Sequence, residues 1–331
     1  MRQRGLGGWV AVAGVAALSA CSHVQSSLAP HSDESRAIAR TWELSAWIAI
    51  PVLLLVLLAL GLALWRSHGS GEGPTRDRSL WFGLLGVSVL GAGLLAVLAA
   101  QGGVQGRVPQ ASAADPVDVR ITARQWWWQI DYLDPDPAQR FTTANELHLP
   151  VDRPTRIELR SGDVRHSLWI PVLDGAQDMV PGQAATITIT PRKVGRYRGQ
   201  CAQFCGVQHA NMALDVRVDD AAGYAAWQAH QRAPANAPTT RATIAGRTGF
   251  NTACAACHAI GDSSAARQSG PDLTHLASRH ALGAGATPLD RGTLETWIAD
   301  PQRHKPGNLM PVVPLQPQQR SDITDYLMSL D

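Results

Sequence analysis

Apolar runs of three lengths crowd the first third of the chain, after which the pattern changes period. Val10 to Ala20 is short. Ser45 to Leu64, set between Trp42, Trp47 and Trp65, and Leu80 to Ala100, opening with Trp81 and Phe82, each hold about 20 residues, enough to cross a hydrocarbon core as a helix. Neither contains a charge, so both anchor rather than transport, and Pro51 falls near the start of the first, where it is tolerated. From about Asp115 to Asp220 the period drops to two, as in Arg156-Ile157-Glu158-Leu159-Arg160, Thr186-Ile187-Thr188-Ile189-Thr190 and Glu146-Leu147-His148-Leu149. Met212, Leu214, Val216 and Val218 share one face, with Asp215, Arg217 and Asp219 on the other. Short half-buried strands with Pro, Gly and Asp between them predict an antiparallel β-sandwich. Ala221 to Gln231 reads as a short helix, residues 233–240 as a small-residue and proline linker, and Ile323, Leu327 and Leu330 as the apolar face of a last helix.

The chain has 331 residues and a formal net charge of +2, a balance that excludes nucleic acid as the main partner. Several of its 11 tryptophans flank the apolar runs, where indoles meet a bilayer interface. Arg66, Arg76 and Arg78 lie between the two long runs and put that loop on the cytoplasmic side, with everything after Gln101 outside. Arg2 and Arg4 ahead of Val10–Ala20 make a secretory signal. Its Leu18-Ser19-Ala20-Cys21 ending resembles a bacterial lipoprotein signal with Cys21 lipidated; an ordinary signal with an incidental cysteine is the other reading.

The five cysteines are Cys21 and two tight pairs, a pattern of ligands and attachment points rather than a disulfide framework. The first pair lies in Gly199-Gln200-Cys201-Ala202-Gln203-Phe204-Cys205-Gly206-Val207-Gln208-His209-Ala210-Asn211-Met212. Thiolates, imidazole and thioether together suit copper. The spacings also fit one face of a buried helix, although Gly199 and Gly206 interrupt the segment. His166, where a strand would turn into a loop, is a second imidazole for a two-metal site, or a satisfied core or surface histidine.

The second pair, Cys254-Ala255-Ala256-Cys257-His258, has the spacing by which a c-type haem is attached, with the histidine on iron. Zinc or a redox dithiol would compete, but no second ligand pair accompanies it. Met310, in Pro306-Gly307-Asn308-Leu309-Met310-Pro311, matches a downstream methionine ligand; Met328 is the rival but suits core packing. Gly270-Pro271-Asp272-Leu273 follows the turn, and the Pro271 carbonyl is expected to accept the His258 ring N–H. This part of the chain resembles a small cytochrome c, which implies that Gly249 and Tyr326 lie where its first and last helices cross closely; His275, His280 and His304 are expected in solvent, with bis-histidine ligation an alternative.

Residues 42–230 resemble subunit II of haem–copper cytochrome c oxidases. The match rests on Gln125-Trp126-Trp127-Trp128, on Asp163-Val164-Arg165-His166-Ser167-Leu168-Trp169-Ile170-Pro171, and on the cysteine loop preceded by Gly195-Arg196-Tyr197. Residues 242–331 resemble a small class I cytochrome c. The resemblance implies a membrane protein of three parts: a two-helix transmembrane hairpin, an all-β cupredoxin-like Greek-key sandwich holding the binuclear copper centre CuA, and a small all-α domain with covalent haem c. Cys201 and Cys205 would bridge two coppers, His166 and His209 would be terminal ligands, and Met212 and the Gln203 carbonyl weak axial ones. Trp126 resembles the residue through which electrons enter, though packing alone would also account for any one of the three tryptophans, and Asp178-Met179-Val180-Pro181-Gly182 resembles a segment facing subunit I.

Gln203 stands where relatives usually have glutamate, and a neutral amide is a poor ligand for an interface magnesium or manganese ion. Ala99-Ala100-Gln101-Gly102-Gly103 lacks the acid that relatives place near a proton channel. The expected parts are a signal at 1–20, an anchor at 21–110, the copper domain at 111–220, a helix and linker at 221–241 and the cytochrome domain at 242–331. The expected partners are oxidase subunits I and III, a soluble donor such as cytochrome c, and the inner bacterial membrane with both redox domains on its periplasmic or outer face. From 242 to 331, seven basic residues against eight acidic ones give no patch that would steer a donor. The electron-entry subunit of a related nitric oxide reductase and a membrane-tethered copper-handling protein are the competing functions.

Overall fold

The computed structural model describes residues 25–69, most of 83–99, 115–261 and 269–331. Cys21, the signal, most of the loop after Gly69 and the segment 100–114 lie outside the described residues. The chain divides into two compact units, one of residues 34–110 and one of residues 1–33 with 111–331.

In the first unit, helix α1 (Asp33–Gly69) runs unbroken through Pro51 and starts well before Ser45. Acidic Asp33 and Glu34 suit a helix N-terminus, where the macrodipole favours negative charge. Its most apolar stretch has no buried share, and Leu53, Leu54, Leu57 and Leu58 are all exposed, whereas Ser35 and Ala39 near its start are buried. An uncharged stretch from Ser45 to Leu64 whose leucines point away from the rest of the chain is what a bilayer span requires. It is the one helix among the described residues long and apolar enough to span. The expected partner at 80–100 is helical wherever it is described, including all of 88–96, but its full span is not. A Cβ on Gly93 would stand 3.3 Å from Val52, so the two helical segments touch there.

In the second unit, ten strands form two five-stranded sheets. They are β1 (Val117–Arg124), β2 (Trp127–Tyr132), β3 (Phe141–Ala144), β4 (Glu146–Pro150), β5 (Thr155–Ser161), β6 (His166–Trp169), β7 (Ala176–Met179), β8 (Ala184–Ile189), β9 (Gly195–Cys201) and β10 (Ala213–Asp219). The sheet orders are β3-β2-β1-β5-β8 and β4-β10-β9-β6-β7. The period-two residues supply the inner faces: Val119, Ile121, Ile157, Leu159, Leu214, Val216 and Val218 are all buried in one core around Trp128.

The sheets are mixed, not antiparallel throughout. β1 pairs parallel with β5, and β10 with β4. Alternation within a strand fixes which face is buried but carries no information on the direction of its neighbour. Helix α2 (Ala221–Arg232), capped by Asp220, covers one end of the sandwich through Tyr224 and Trp227.

The C-terminal lobe is built from α3 (Arg241–Ala253), a hairpin of β11 (Ala281–Leu282) and β12 (Thr287–Pro288), α4 (Arg291–Ala299), the single turn α5 (Pro301–His304) and α6 (Pro317–Leu327). Phe250, Leu276, Leu294, Ile298, Ile323, Tyr326 and Leu327 form its own core, and Met328 packs on it. The crossing of α3 over α6 is tightest at Gly246, not Gly249: a Cβ at Gly246 would fall 2.0 Å from the Asp322 carbonyl oxygen. Both glycines lie on the face of α3 that meets α6, and the sequence spacing did not separate them.

Candidate metal and haem centres

Strand geometry brings the first cysteine pair to His166. β6 begins at His166 and pairs with the end of β9, Leu168 opposite Cys201, while Ala202 N–H bonds to the Ser167 carbonyl at 2.9 Å. Cys201 N–H bonds to the Met212 carbonyl at 3.1 Å and closes the loop between β9 and β10. The segment is therefore a loop at one end of the sandwich and not a helix; only His209–Asn211 makes a 3-10 turn.

The two sulfurs stand 3.7 Å apart, unbonded. His166 Nδ1 lies 3.9 Å from Cys201 Sγ, and His209 Nδ1 3.6 Å from Cys205 Sγ. Met212 Sδ is 3.9 Å from Cys205 Sγ, and the Gln203 carbonyl oxygen 3.1 Å from Cys201 Sγ. The other four predicted ligands thus gather round one sulfur pair, with an imidazole beside each sulfur. His166, Cys201 and Cys205 are fully buried and their ligand atoms lie within 4.8 Å of one another.

Charge at this pair is arranged for metal. Contact with Cys205, with His166 adding to it, draws the Cys201 thiol down, and the same contact together with burial pushes the Cys205 thiol up. One thiolate forms readily and the second resists, so removing both protons calls for cationic charge between the sulfurs. His166 carries its own support. Burial pulls its ring down, but the hydrogen bonds to Asp163 and Cys201 outweigh that and raise it. Asp163, 2.8 Å from His166 Nε2, also accepts from the Gln125 and Val164 amides, both at 2.6 Å, and against desolvation these bonds hold its carboxyl below its usual range. With Nε2 engaged, Nδ1 is the nitrogen left to face a metal.

Trp126 packs directly on the loop. Its indole N–H donates to the Cys205 carbonyl at 3.0 Å, and Gln125 Nε2 donates to the same oxygen at 2.8 Å. Gly206, at φ 119°, is required twice: its backbone favours glycine, and a Cβ would stand 2.8 Å from the Trp126 ring. Neither Gln125 nor Gly206 had a role assigned from the sequence, although each adjoins a residue that did.

The second cysteine pair follows α3. Cys254 is the C-cap, and Cys257 and His258 turn back with their N–H groups on the Cys254 carbonyl, both at 3.0 Å. Cys254 is half-buried and burial pushes its thiol up to about 11; Cys257 is exposed. His258 Nδ1 lies 2.8 Å from the Pro271 carbonyl, as expected, and burial lowers the ring's pKa. A neutral ring donating from Nδ1 leaves Nε2 as a lone-pair ligand. Gly270 makes this approach possible, since a Cβ there would lie 2.7 Å from His258 Cε1. Two unpaired thiols and one oriented imidazole in this spacing fit a covalently held haem.

Met310 is half-buried in the loop between α5 and α6, its N–H on Asn308 Oδ1 at 2.8 Å and its carbonyl on Gln302 Nε2 at 3.1 Å. His280 is exposed as expected, and His304 bonds to Thr296 Oγ1 at 3.0 Å. His275 is buried, not solvated, because its ring packs 4.6 Å from that of His230 on α2.

The comparisons fall on these two sites. Residues 134–218 match the family described as cytochrome C oxidase subunit II, periplasmic domain, and residues 244–331 match cytochrome c. Cytochrome c oxidase subunit 2 of Alkalihalophilus pseudofirmus is 30% identical over 86% of this chain and 72% of its own length. The protein of the same name from Bacillus sp. strain PS3 is 31% identical over 65% of this chain and 62% of its own. Among solved structures, the periplasmic domain of subunit II of cytochrome oxidase (CoxB) of Bradyrhizobium japonicum is 26% identical, covering 38% of this chain and 97% of that one with a TM-score of 0.34. A copper-type loop in a β-sandwich, a haem-attachment turn in a helical lobe and a shared sequence across most of both chains lead to one conclusion: the chain belongs to the cytochrome c oxidase subunit II family.

Proposed function

We propose that Cys201 and Cys205 bridge the two coppers of CuA, with His166 and His209 as terminal ligands and Met212 and the Gln203 carbonyl as weak axial ones. On the same reading Cys254 and Cys257 attach haem c, and His258 and Met310 are its axial ligands. The observation that carries the copper assignment is the sulfur pair at 3.7 Å with one imidazole nitrogen beside each sulfur. When bound, the two centres supply one-electron chemistry, by which electrons from outside pass to haem a of subunit I for reduction of oxygen to water.

The protein's own residues do the rest. Cys201 and Cys205 are buried beneath an exposed loop tip at Phe204 and Val207, Asp163 orients His166, and the carbonyl of Cys205 is fixed by Trp126 and Gln125. As a subunit of a haem–copper oxidase the chain works with other oxidase subunits. Subunit I and subunit III are the proposed neighbours, a soluble protein such as cytochrome c the proposed donor, and Trp126 the residue on the path into the copper pair. The neutral Gln203 argues against a magnesium or manganese ion at the subunit I boundary. We place α1 in the inner bacterial membrane, residues 111–220 and 242–331 as separate redox domains on its periplasmic or outer face, and Cys21 as a lipid attachment point.

Rapid mixing of the intact oxidase with reduced donor tests the order. Haem c absorbance should change before the copper band, and the copper band before the haem of subunit I. Copper reduced ahead of haem c would contradict the path.

A further inference from the structure

The chain uses arginine almost throughout for positive charge and has only two lysines, Lys193 and Lys305. Lys193 is exposed, whereas Lys305 is 3% exposed and forms no ion pair with any of the described residues. Its ammonium donates to three carbonyl oxygens, those of Trp126 and Asn211 at 2.7 Å and of Gly283 at 2.6 Å. Two of these belong to the copper domain and one to the helical lobe that Lys305 itself is part of. Three donors on a compact tetrahedral head match three converging acceptors, which a planar guanidinium would not. Burial strips the ammonium of hydration and draws its pKa down to about 7, and the three carbonyls are what compensate that loss.

The contacts around it run across the same seam. Gln208 Nε2 donates to the Pro306 carbonyl at 2.8 Å, Ala213 N–H to the Ala284 carbonyl at 2.9 Å, and His280 N–H to Glu146 Oε1 at 3.0 Å. Gly307 is seated so closely that a Cβ would reach Val207 at 3.0 Å and the Trp126 ring at 3.7 Å. Beside this contact the lobes part into a cleft of 680 Å³ lined by Glu146, Arg196, Arg198, Asp215 and His280. The seam is therefore mostly polar, and Lys305 is the buried charge in it.

We propose that Lys305 is a latch that seats the helical lobe over Trp126 and closes that face of the copper domain to other proteins. Trp126, 7% exposed, then faces the chain's own haem-bearing lobe rather than a soluble donor. The linker at 233–240 is a fixed strap in this arrangement and not the tether of a swinging domain. The inference rests on the reading of Trp126 as part of the electron path, but the latch is testable without copper or haem, so the two fail separately.

Acylation of the full-length chain with an amine-reactive acetyl ester, followed by mass spectrometry, compares the two lysines in one molecule. Lys193 should be modified about 100-fold faster than Lys305, whose labelling waits on opening of the seam. A lowered pKa by itself would speed acylation of Lys305, so slow labelling reports cover; equal rates would overturn the latch. In Lys305→Met, which keeps the stem and removes the donors, exchange of the Ala213 amide and oxidative labelling of Trp126 should each rise about 10-fold while β1 and β5 keep their protection. Unchanged protection at Ala213 and Trp126 would overturn it. If that variant fails to fold, the acylation ratio in the unaltered chain still decides.

Discussion

The Asp163 carboxylate lies 2.8 Å from Nε2 of His166 and thereby turns Nδ1 toward the Cys201 sulfur. A carboxylate behind a metal-bound imidazole fixes the ring and raises its basicity, and loss of such a partner costs about 10–100-fold in metal affinity. Asp163→Asn should therefore lower copper affinity by that factor, measured by competition with a chelator, while the fold is retained. An unchanged affinity would mean that His166 is held by packing alone.

The same pair gives a pH dependence in the metal-free chain. The Asp163 carboxyl is held below its ordinary value, so its contribution is complete above about pH 4 and fades as the pH falls through its lowered value. The His166 ring is raised, so its contribution is complete below about pH 6.5 and fades as the pH rises through its raised value. The stability difference between the parent chain and Asp163→Asn should be largest between those limits and shrink on both sides. Denaturant unfolding at a series of pH values measures it; a difference that does not vary with pH contradicts the assignment.

Gly246→Ala should destabilise the C-terminal lobe by about 3 kcal/mol, because the new methyl group meets the Asp322 carbonyl oxygen of α6 and the two helices must separate. Gly249→Ala, facing only the Ile323 side chain at 3.0 Å, should cost less. Thermal unfolding followed at the haem band compares the two, and the reverse order would place the crossing elsewhere.

Met310→Ala should leave the haem attached, since the thioethers to Cys254 and Cys257 remain, and should lower its reduction potential by removing the thioether ligand. Spectroelectrochemical titration decides. A potential equal to that of the parent chain points to another ligand, although Met328 now has a packing role on α6 that accounts for it.

Much of this was readable in the sequence because soft ligands and haem-attachment cysteines occur in spacings that few other chemistries need. Alternation placed Leu214, Val216 and Val218 in the core, and the His166 and cysteine motifs were visible although 35 residues separate His166 from Cys201. Strand direction was not readable, since the parallel pairs β1–β5 and β4–β10 are set by chain path and not by residue type. Lys305 was missed because its three acceptors are main-chain carbonyls brought together by folding; the scarcity of lysine in the chain was the one available signal. Gly270 and Gly206 were likewise invisible as requirements until the rings of His258 and Trp126 were seen beside them.

Electron paramagnetic resonance of the full-length chain loaded with copper and haem tests the central claim most directly. One unpaired electron shared evenly by two copper nuclei, lost in both Cys201→Ser and Cys205→Ser, is the predicted result. An isolated single-copper signal, or a shared signal that survives either substitution, would contradict it.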